Sequence, residues 1–142
     1  MNNTPIIIKK TYPVPVSKVW AAITDKDKMR EWYFDIDDFT LHKGSEFNFS
    51  VTFDGRTYHH RCTIIEIEPE KKLVYTWTHP EDSEGESVVE WEMESVPEGT
   101  EVTLTHFGTE NFADAGEGFS REDHEQGWEE ILGENLKDYL AR

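Results

Sequence analysis

Two apolar stripes of helical spacing stand at the ends of this chain, and the stretch between them alternates with a period of two. At the start, Pro13-Val14-Pro15-Val16-Ser17-Lys18-Val19-Trp20-Ala21-Ala22-Ile23-Thr24-Asp25 leads to Trp32. At the end, Gln126-Gly127-Trp128-Glu129-Glu130-Ile131-Leu132 runs on through Leu136 to Tyr139-Leu140. A helix at each end with strands between them is an α+β pattern. It predicts a curved antiparallel sheet with a long C-terminal helix laid across it, an arrangement that leaves a hollow between the two.

The elements follow from local chemistry. Ile6 to Tyr12 is β-branched enough for a first strand. Pro15 suits the first turn of a helix, where its missing N–H costs nothing. Val16, Val19, Trp20 and Ile23 then form one stripe at i, i+3, i+4 and i+7, and Asp25 is an N-cap for a second short helix ending near Trp32. From Ser45 the period becomes two, with Phe47, Phe49, Val51 and Phe53 on one face. Asp54-Gly55 predicts a two-residue hairpin turn. Tyr58, His60, Cys62 and Ile64 share a face, but Ile65 and Ile67 break the alternation and predict a bulge near Ile64-Ile65. Pro69-Glu70-Lys71 is a turn, after which Leu73, Tyr75 and Trp77 point one way. Pro80 to Gly85 is an acidic loop. Val89, Trp91 and Met93, then Val102, Leu104 and His106, alternate in the same fashion around a turn at Pro97-Glu98-Gly99. Gly108 to Gly118 is polar and Gly-rich yet carries Phe112, with Phe119 beyond it. Ser120 and Asp123 have capping-box spacing for the last helix. The predicted order is β-α-α-β-β-β-β-β-α in one domain spanning residues 1–142, with no repeat and no linker.

Composition limits the partners. Thirty Asp and Glu against fourteen Lys and Arg give a formal charge of −16, a surface that repels phosphate backbones and anionic headgroups. Nucleic-acid and membrane partners are therefore excluded as expectations. Five Trp, five Tyr and eight Phe supply a large rigid apolar area for a chain of 142 residues. Cys62 is alone, so no intramolecular disulfide forms, and its strand position makes it a small buried side chain. The N-terminal Met1-Asn2-Asn3-Thr4-Pro5-Ile6-Ile7-Ile8 lacks the basic start and the apolar length of a signal peptide, and no segment reaches membrane-spanning length. A cytoplasmic location is expected.

The order of elements and particular residues resemble the START-like, helix-grip superfamily, also called SRPBCC. Within it the chain is most similar to the group named after the activator of heat-shock-protein-90 ATPase. The matching residues are Pro15, Val19-Trp20, Ile23-Thr24 and Trp32, then Gly44, Glu66-Ile67-Glu68-Pro69, Leu73 and Tyr75-Thr76-Trp77. They continue as Thr103-Leu104-Thr105-His106 and Gly127-Trp128 with Leu132, Leu136 and Tyr139-Leu140. The resemblance covers essentially the whole chain. It implies a five- or six-stranded sheet gripping the last helix around a cavity, which across the superfamily holds lipids, sterols, polyketides or hormones and in some branches carries out chemistry. The eukaryotic co-chaperone activators carry an additional N-terminal domain for which these residues leave no room, so ATPase stimulation is not expected.

Motifs for catalysis are few. His106 sits on the predicted inner face beside Leu104, where an imidazole meets a ligand carbonyl or hydroxyl, or else pairs with backbone or water as a core residue. His59-His60 lacks metal-ligand spacing because neighbouring strand residues face opposite ways, and no Cys/His cluster suggests zinc. Asp35-x-Asp37-Asp38 lacks the Gly and downstream Glu of a calcium loop and reads as a solvated acidic loop. Glu90, Glu92 and Glu94 lie on the outer face. No phosphate loop, nucleophile elbow or dinucleotide motif is present, so no cofactor and no metal are expected.

Three functional expectations follow. The first is non-catalytic binding of a hydrophobic, lipid-like or aromatic small molecule by Trp32, Tyr75, Trp77, Trp91, His106, Phe112, Trp128 and Leu132, with Phe112 and Phe119 closing one end as a lid. The alternative is a stress-related co-chaperone-like module that binds a chaperone or other protein through its acidic outer face. The third is an enzyme of the cyclase or hydrolase kind, which requires a second polar group near His106.

Overall fold

The computed structural model describes residues 4–36, 38–53, 55–116 and 119–142. Strand β1 (Ile6–Tyr12) is followed by α1 (Val16–Thr24) and α2 (Lys26–Trp32). Then come β2 (Glu46–Phe53), β3 (Arg56–Glu68), β4 (Lys72–Trp77), β5 (Ser87–Val96) and β6 (Gly99–Phe107). A 3₁₀ segment (Thr109–Ala115) leads to the C-terminal helix, built from α3 (Arg121–Glu130), a π-helical stretch (Ile131–Leu136) and α4 (Lys137–Leu140). The fold is the expected α+β helix grip, with six strands in the order β1-β6-β5-β4-β3-β2.

Every neighbouring pair in the sheet is antiparallel. The alternation read from sequence becomes two faces: Leu73, Tyr75 and Trp77 of β4 and Val89, Trp91 and Met93 of β5 are buried, while Glu92 and Glu94 face outward. The bulge falls where the pattern broke, as a register shift between Ile64 and Glu66 against β4. The β2–β3 register pairs Phe53 with Arg56, leaving two residues in the connection. Of these, Gly55 takes a φ of 77°, and Asp54 lies outside the described residues, as does Asp37 of the acidic run. Asp25 caps α2 by accepting from the Asp27 N–H at 2.9 Å.

The C-terminal helix opens on the capping box, in which Ser120 Oγ accepts from the Asp123 N–H at 3.1 Å. Its departure from a regular helix has a packing reason. The side chains it buries are Trp128, Leu132, Leu136 and Leu140, spaced strictly by four. A regular helix of 3.6 residues per turn rotates such a repeat by about 40° at each step. The wider turn of Ile131–Leu136 counters that drift and keeps all four on the sheet. The carbonyl of Leu132 takes a further donor there, the Tyr12 hydroxyl of β1 at 2.7 Å. Lys18 of α1 donates to the Leu140 carbonyl at 3.0 Å, fastening the end of the helix to the N-terminal half. Among the described residues no helix is long and apolar enough to cross a membrane.

Candidate functional site

In an antiparallel sheet the start of β3, the end of β4, the start of β5 and the end of β6 lie at one end. The 3₁₀ segment and the first turns of α3 cover that end. The chain therefore delivers His60, Trp77, Ser87, His106, Phe112, Phe119, His124 and Trp128 to one place. The rings form a continuous path into the interior: Trp32–Trp91 centroids stand 6.4 Å apart, Trp91–Trp128 6.0 Å and Trp128–Trp77 5.2 Å. The path continues as Trp77–His60 at 4.9 Å, His60–His79 at 4.9 Å and His79–Phe112 at 4.7 Å. Seven of the eight sequence-predicted site residues join this assembly, since Tyr75 accepts from Trp91 Nε1 at 2.9 Å and His106 lies beside Trp77 and Trp128. Leu132 is buried one helical turn beyond Trp128.

His106 is engaged on both ring nitrogens. The Trp128 indole N–H donates to Nδ1 at 3.0 Å, so that nitrogen is bare and the proton of the neutral ring sits on Nε2. Nε2–H donates to Ser87 Oγ at 2.7 Å, and the Ser87 hydroxyl donates to the Trp77 carbonyl at 3.1 Å. With no solvent exposure, the imidazole is held neutral by burial first and by neighbouring His124 and His79 second. The two groups that orient it are thus Ser87 and Trp128.

Four of the six histidines form a chain of ring contacts, His60–His79 at 4.9 Å, His79–His124 at 5.3 Å and His124–His106 at 5.3 Å. Desolvation, with a smaller contribution from the other imidazoles, pushes His60 and His79 down to about 3. Desolvation also lowers His124, against the opposing pull of the Ser120 carbonyl and the Asp123 carboxylate. His60 lies flat on Phe49, centroids 4.6 Å apart and planes 2° from parallel. Phe112 and Phe119 both lie 4.7 Å from the His79 ring and are buried, so they close this end. Outside them, the Arg56 guanidinium stacks 4.9 Å over Tyr58 and 5.0 Å over Phe119, and it pairs with Asp82 at 3.0 Å.

Three buried polar atoms in this nest, His60 Nδ1, Trp77 Nε1 and His79 Nδ1, have no hydrogen-bond partner among the described residues. Buried polar atoms of native proteins are nearly always partnered, so such a concentration is unusual. Other interior polar groups are paired: Trp32 Nε1 donates to the Ala22 carbonyl at 2.9 Å, and Tyr33 and Tyr75 hydroxyls meet at 3.3 Å. Two hollows lie away from the nest. A groove of about 840 Å³ runs along the outer sheet face past Glu68, Glu92 and Glu101, and a cleft of about 320 Å³ lies between Tyr12 and Gly133. Among the described residues no group of three or more His, Cys, Asp or Glu side chains is placed to hold a metal ion.

Sequence reasoning named His106 but passed over His79 and His124. Both carried a readable signal. Carrying the β4 alternation of Leu73, Tyr75 and Trp77 two residues further reaches His79, and His124 precedes Trp128 by four, on the same helix face.

A family model described as Activator of Hsp90 ATPase homolog 1-like protein matches residues 13–141. Among solved structures, protein MLL2253 from Mesorhizobium loti is similar at 25% identity with a TM-score of 0.77, covering 98% of each chain. CalU16 from Micromonospora echinospora is similar at 26% identity and a TM-score of 0.72, over 96% of this chain and 76% of its own. CV1439 from Chromobacterium violaceum shares the fold at a TM-score of 0.84 and 15% identity, over 100% of this chain and 99% of its own. No curated protein matches the chain significantly.

Proposed function

Because the chain belongs to the family of Activator of Hsp90 ATPase homolog 1-like proteins, we propose that it is a non-catalytic binding protein for a hydrophobic, aromatic small molecule held between the sheet and the C-terminal helix. The observation that carries this reading is the trio of unpartnered polar atoms on three mutually neighbouring rings, His60, Trp77 and His79. A mostly apolar nest with a few unanswered polar tips is the general form of a small-molecule site. Phe112 and Phe119 are the movable wall. The 3₁₀ segment that carries Phe112 is held to the β4–β5 loop by exposed bonds such as that from Asn111 Nδ2–H to the Glu86 carbonyl at 2.9 Å, which are weaker restraints than a buried ladder. Trp32, Tyr75, Trp91, Trp128 and Leu132 line the depth of the grip, and the orienting groups are Trp77, His60 and His79 rather than the saturated His106.

The test is a non-denaturing mass spectrum of gently purified protein, paired with titration of the neutral fluorophore N-phenyl-1-naphthylamine. An adduct lost on denaturation, or saturable probe fluorescence with quenching of tryptophan emission, supports the reading. A clean mass together with no saturable binding up to the probe's solubility limit overturns it.

A second reading, a protein-interaction module, draws on the outer groove, where Glu68, Glu70, Glu92, Glu94 and Glu101 gather around Lys9, Lys71 and Lys72. A partner bound there is displaced by salt on the scale of the Debye length, about 8 Å at physiological ionic strength. Retention of such a partner in 1 M salt rejects this reading.

A further inference from the structure

The protons in the histidine nest are determined by its hydrogen bonds, and they specify which group a ligand must present. His124 Nδ1 lies 2.8 Å from the Ser120 carbonyl, which only accepts, so Nδ1 carries the proton and Nε2 of the neutral ring is bare. His79 Nε2 lies 3.1 Å from that bare nitrogen and must therefore be the donor. A neutral His79 has then spent its only proton, and its Nδ1 is a buried lone pair without a donor. Trp77 Nε1 is the opposite case, an N–H that only donates and has no acceptor. The two rings stand 6.4 Å apart, with His60 4.9 Å from each.

Resting on the binding reading above, we infer that the ligand carries a neutral hydroxyl on its aromatic body, which accepts from Trp77 Nε1–H and donates to His79 Nδ1. A hydroxyl is the smallest organic group that is donor and acceptor at one atom. A carbonyl or ether oxygen answers Trp77 and leaves the His79 lone pair facing another lone pair. A carboxylate does the same and adds a buried charge, while the neighbouring Arg56 guanidinium is outside Phe119 and paired to Asp82. Burial of unmatched polar atoms is costly, so a site of this kind discriminates strongly against analogues that lack the matching group. Phe49, stacked with His60, and Phe34, whose ring lies 4.6 Å from Phe49, provide the flat surfaces for the aromatic body.

The experiment is a titration of the full-length protein with four probes of one shape: 2-naphthol, 2-methoxynaphthalene, naphthalene and 2-naphthoate, followed by tryptophan quenching. The expected result is that 2-naphthol binds at least about tenfold more tightly than 2-methoxynaphthalene, with 2-naphthoate weakest, about 1.4 kcal/mol per factor of ten. In His79→Phe, checked for folding by circular dichroism, that preference disappears while 2-methoxynaphthalene binding persists. Equal binding of 2-naphthol and 2-methoxynaphthalene overturns the inference and points to a trapped water as the natural partner of these atoms, leaving the binding reading intact. A preference for 2-naphthoate, or a hydroxyl preference unchanged in folded His79→Phe, also overturns it. Failure of all four probes overturns the inference together with the reading beneath it.

Discussion

Replacing Ser87 by Ala isolates the network that holds His106. Ser87 is 2% exposed, and its hydroxyl accepts from His106 Nε2–H at 2.7 Å while donating to the Trp77 carbonyl at 3.1 Å. The substitution removes one oxygen and almost no apolar surface, so the hydrophobic contribution is small. It leaves a buried N–H without an acceptor, a loss of about 1–3 kcal/mol. The imidazole cannot escape by moving its proton to Nδ1, because the Trp128 N–H already points there at 3.0 Å and two donors would collide. We expect about 2 kcal/mol of destabilisation with an unchanged urea m-value, read by tryptophan fluorescence. At roughly 3 °C per kcal/mol for a chain of this size, the melting temperature falls by about 6 °C. Trp128→Phe acts through the same imidazole, so the double variant loses at least about 0.5 kcal/mol less than the sum of the singles. A Ser87→Ala loss below about 0.5 kcal/mol, or strict additivity with Trp128→Phe, refutes the proton assignment of His106.

Other outcomes follow from the same nest and its surroundings. His60 and His79 are held at about 3 in the folded protein against about 6.5 when unfolded, so the unfolded chain binds more protons between those values. Their stabilising contribution is complete above pH 6.5 and is lost as pH falls towards 3. Each imidazole contributes a slope of up to about 1.4 kcal/mol per pH unit, already visible between pH 6.5 and 5, above the carboxylate range. A flat urea midpoint across that interval contradicts their burial as neutral rings. Cys62 has no solvent exposure and burial pushes its thiol up, so Ellman's reagent should modify it only at the rate of opening; rapid labelling of native protein would show the β3 core to be accessible. At Gly85 an added Cβ would collide with the backbone carbonyl of Asn111, next to Phe112. Gly85→Ala should therefore shift the Phe112 segment and raise its amide exchange, with protection in β5 and β6 retained; unchanged exchange at 109–115 would count against that segment as the movable wall.

Much of this molecule was legible before folding because the relevant signals are local. The alternation from Phe47 to His106 assigns side chains to sheet faces, and the break at Ile64-Ile65 located the bulge that the register confirms. Ser120 and Asp123 announced the start of the last helix, and the inward residues Trp32, Tyr75, Trp77, Trp91, His106 and Trp128 are found in one assembly of rings. The polar, Gly-rich composition after β6 points to irregular backbone, yet Thr109–Ala115 coils into a 3₁₀ turn with Phe112 packed on His79. The π-helical stretch had no local signal either, since the buried spacing of four acquires meaning only once Trp128, Leu132, Leu136 and Leu140 share one sheet.

By itself, then, the sequence determined the α+β helix-grip order, the faces of its strands, the acidity of its surface and the aromatic wealth of its interior. Periodicity and charge depend on near neighbours and on composition, which any reading of the chain contains. Only the tertiary structure decided that His60, His79, His106 and His124, separated by up to 64 positions, form one line of imidazoles. It also decided that His106 is saturated while Trp77 and His79 are not. A hydrogen bond is a matter of ångströms and direction between atoms that antiparallel pairing brings to one end of the sheet, and no spacing along the chain encodes which nitrogen is left without a partner.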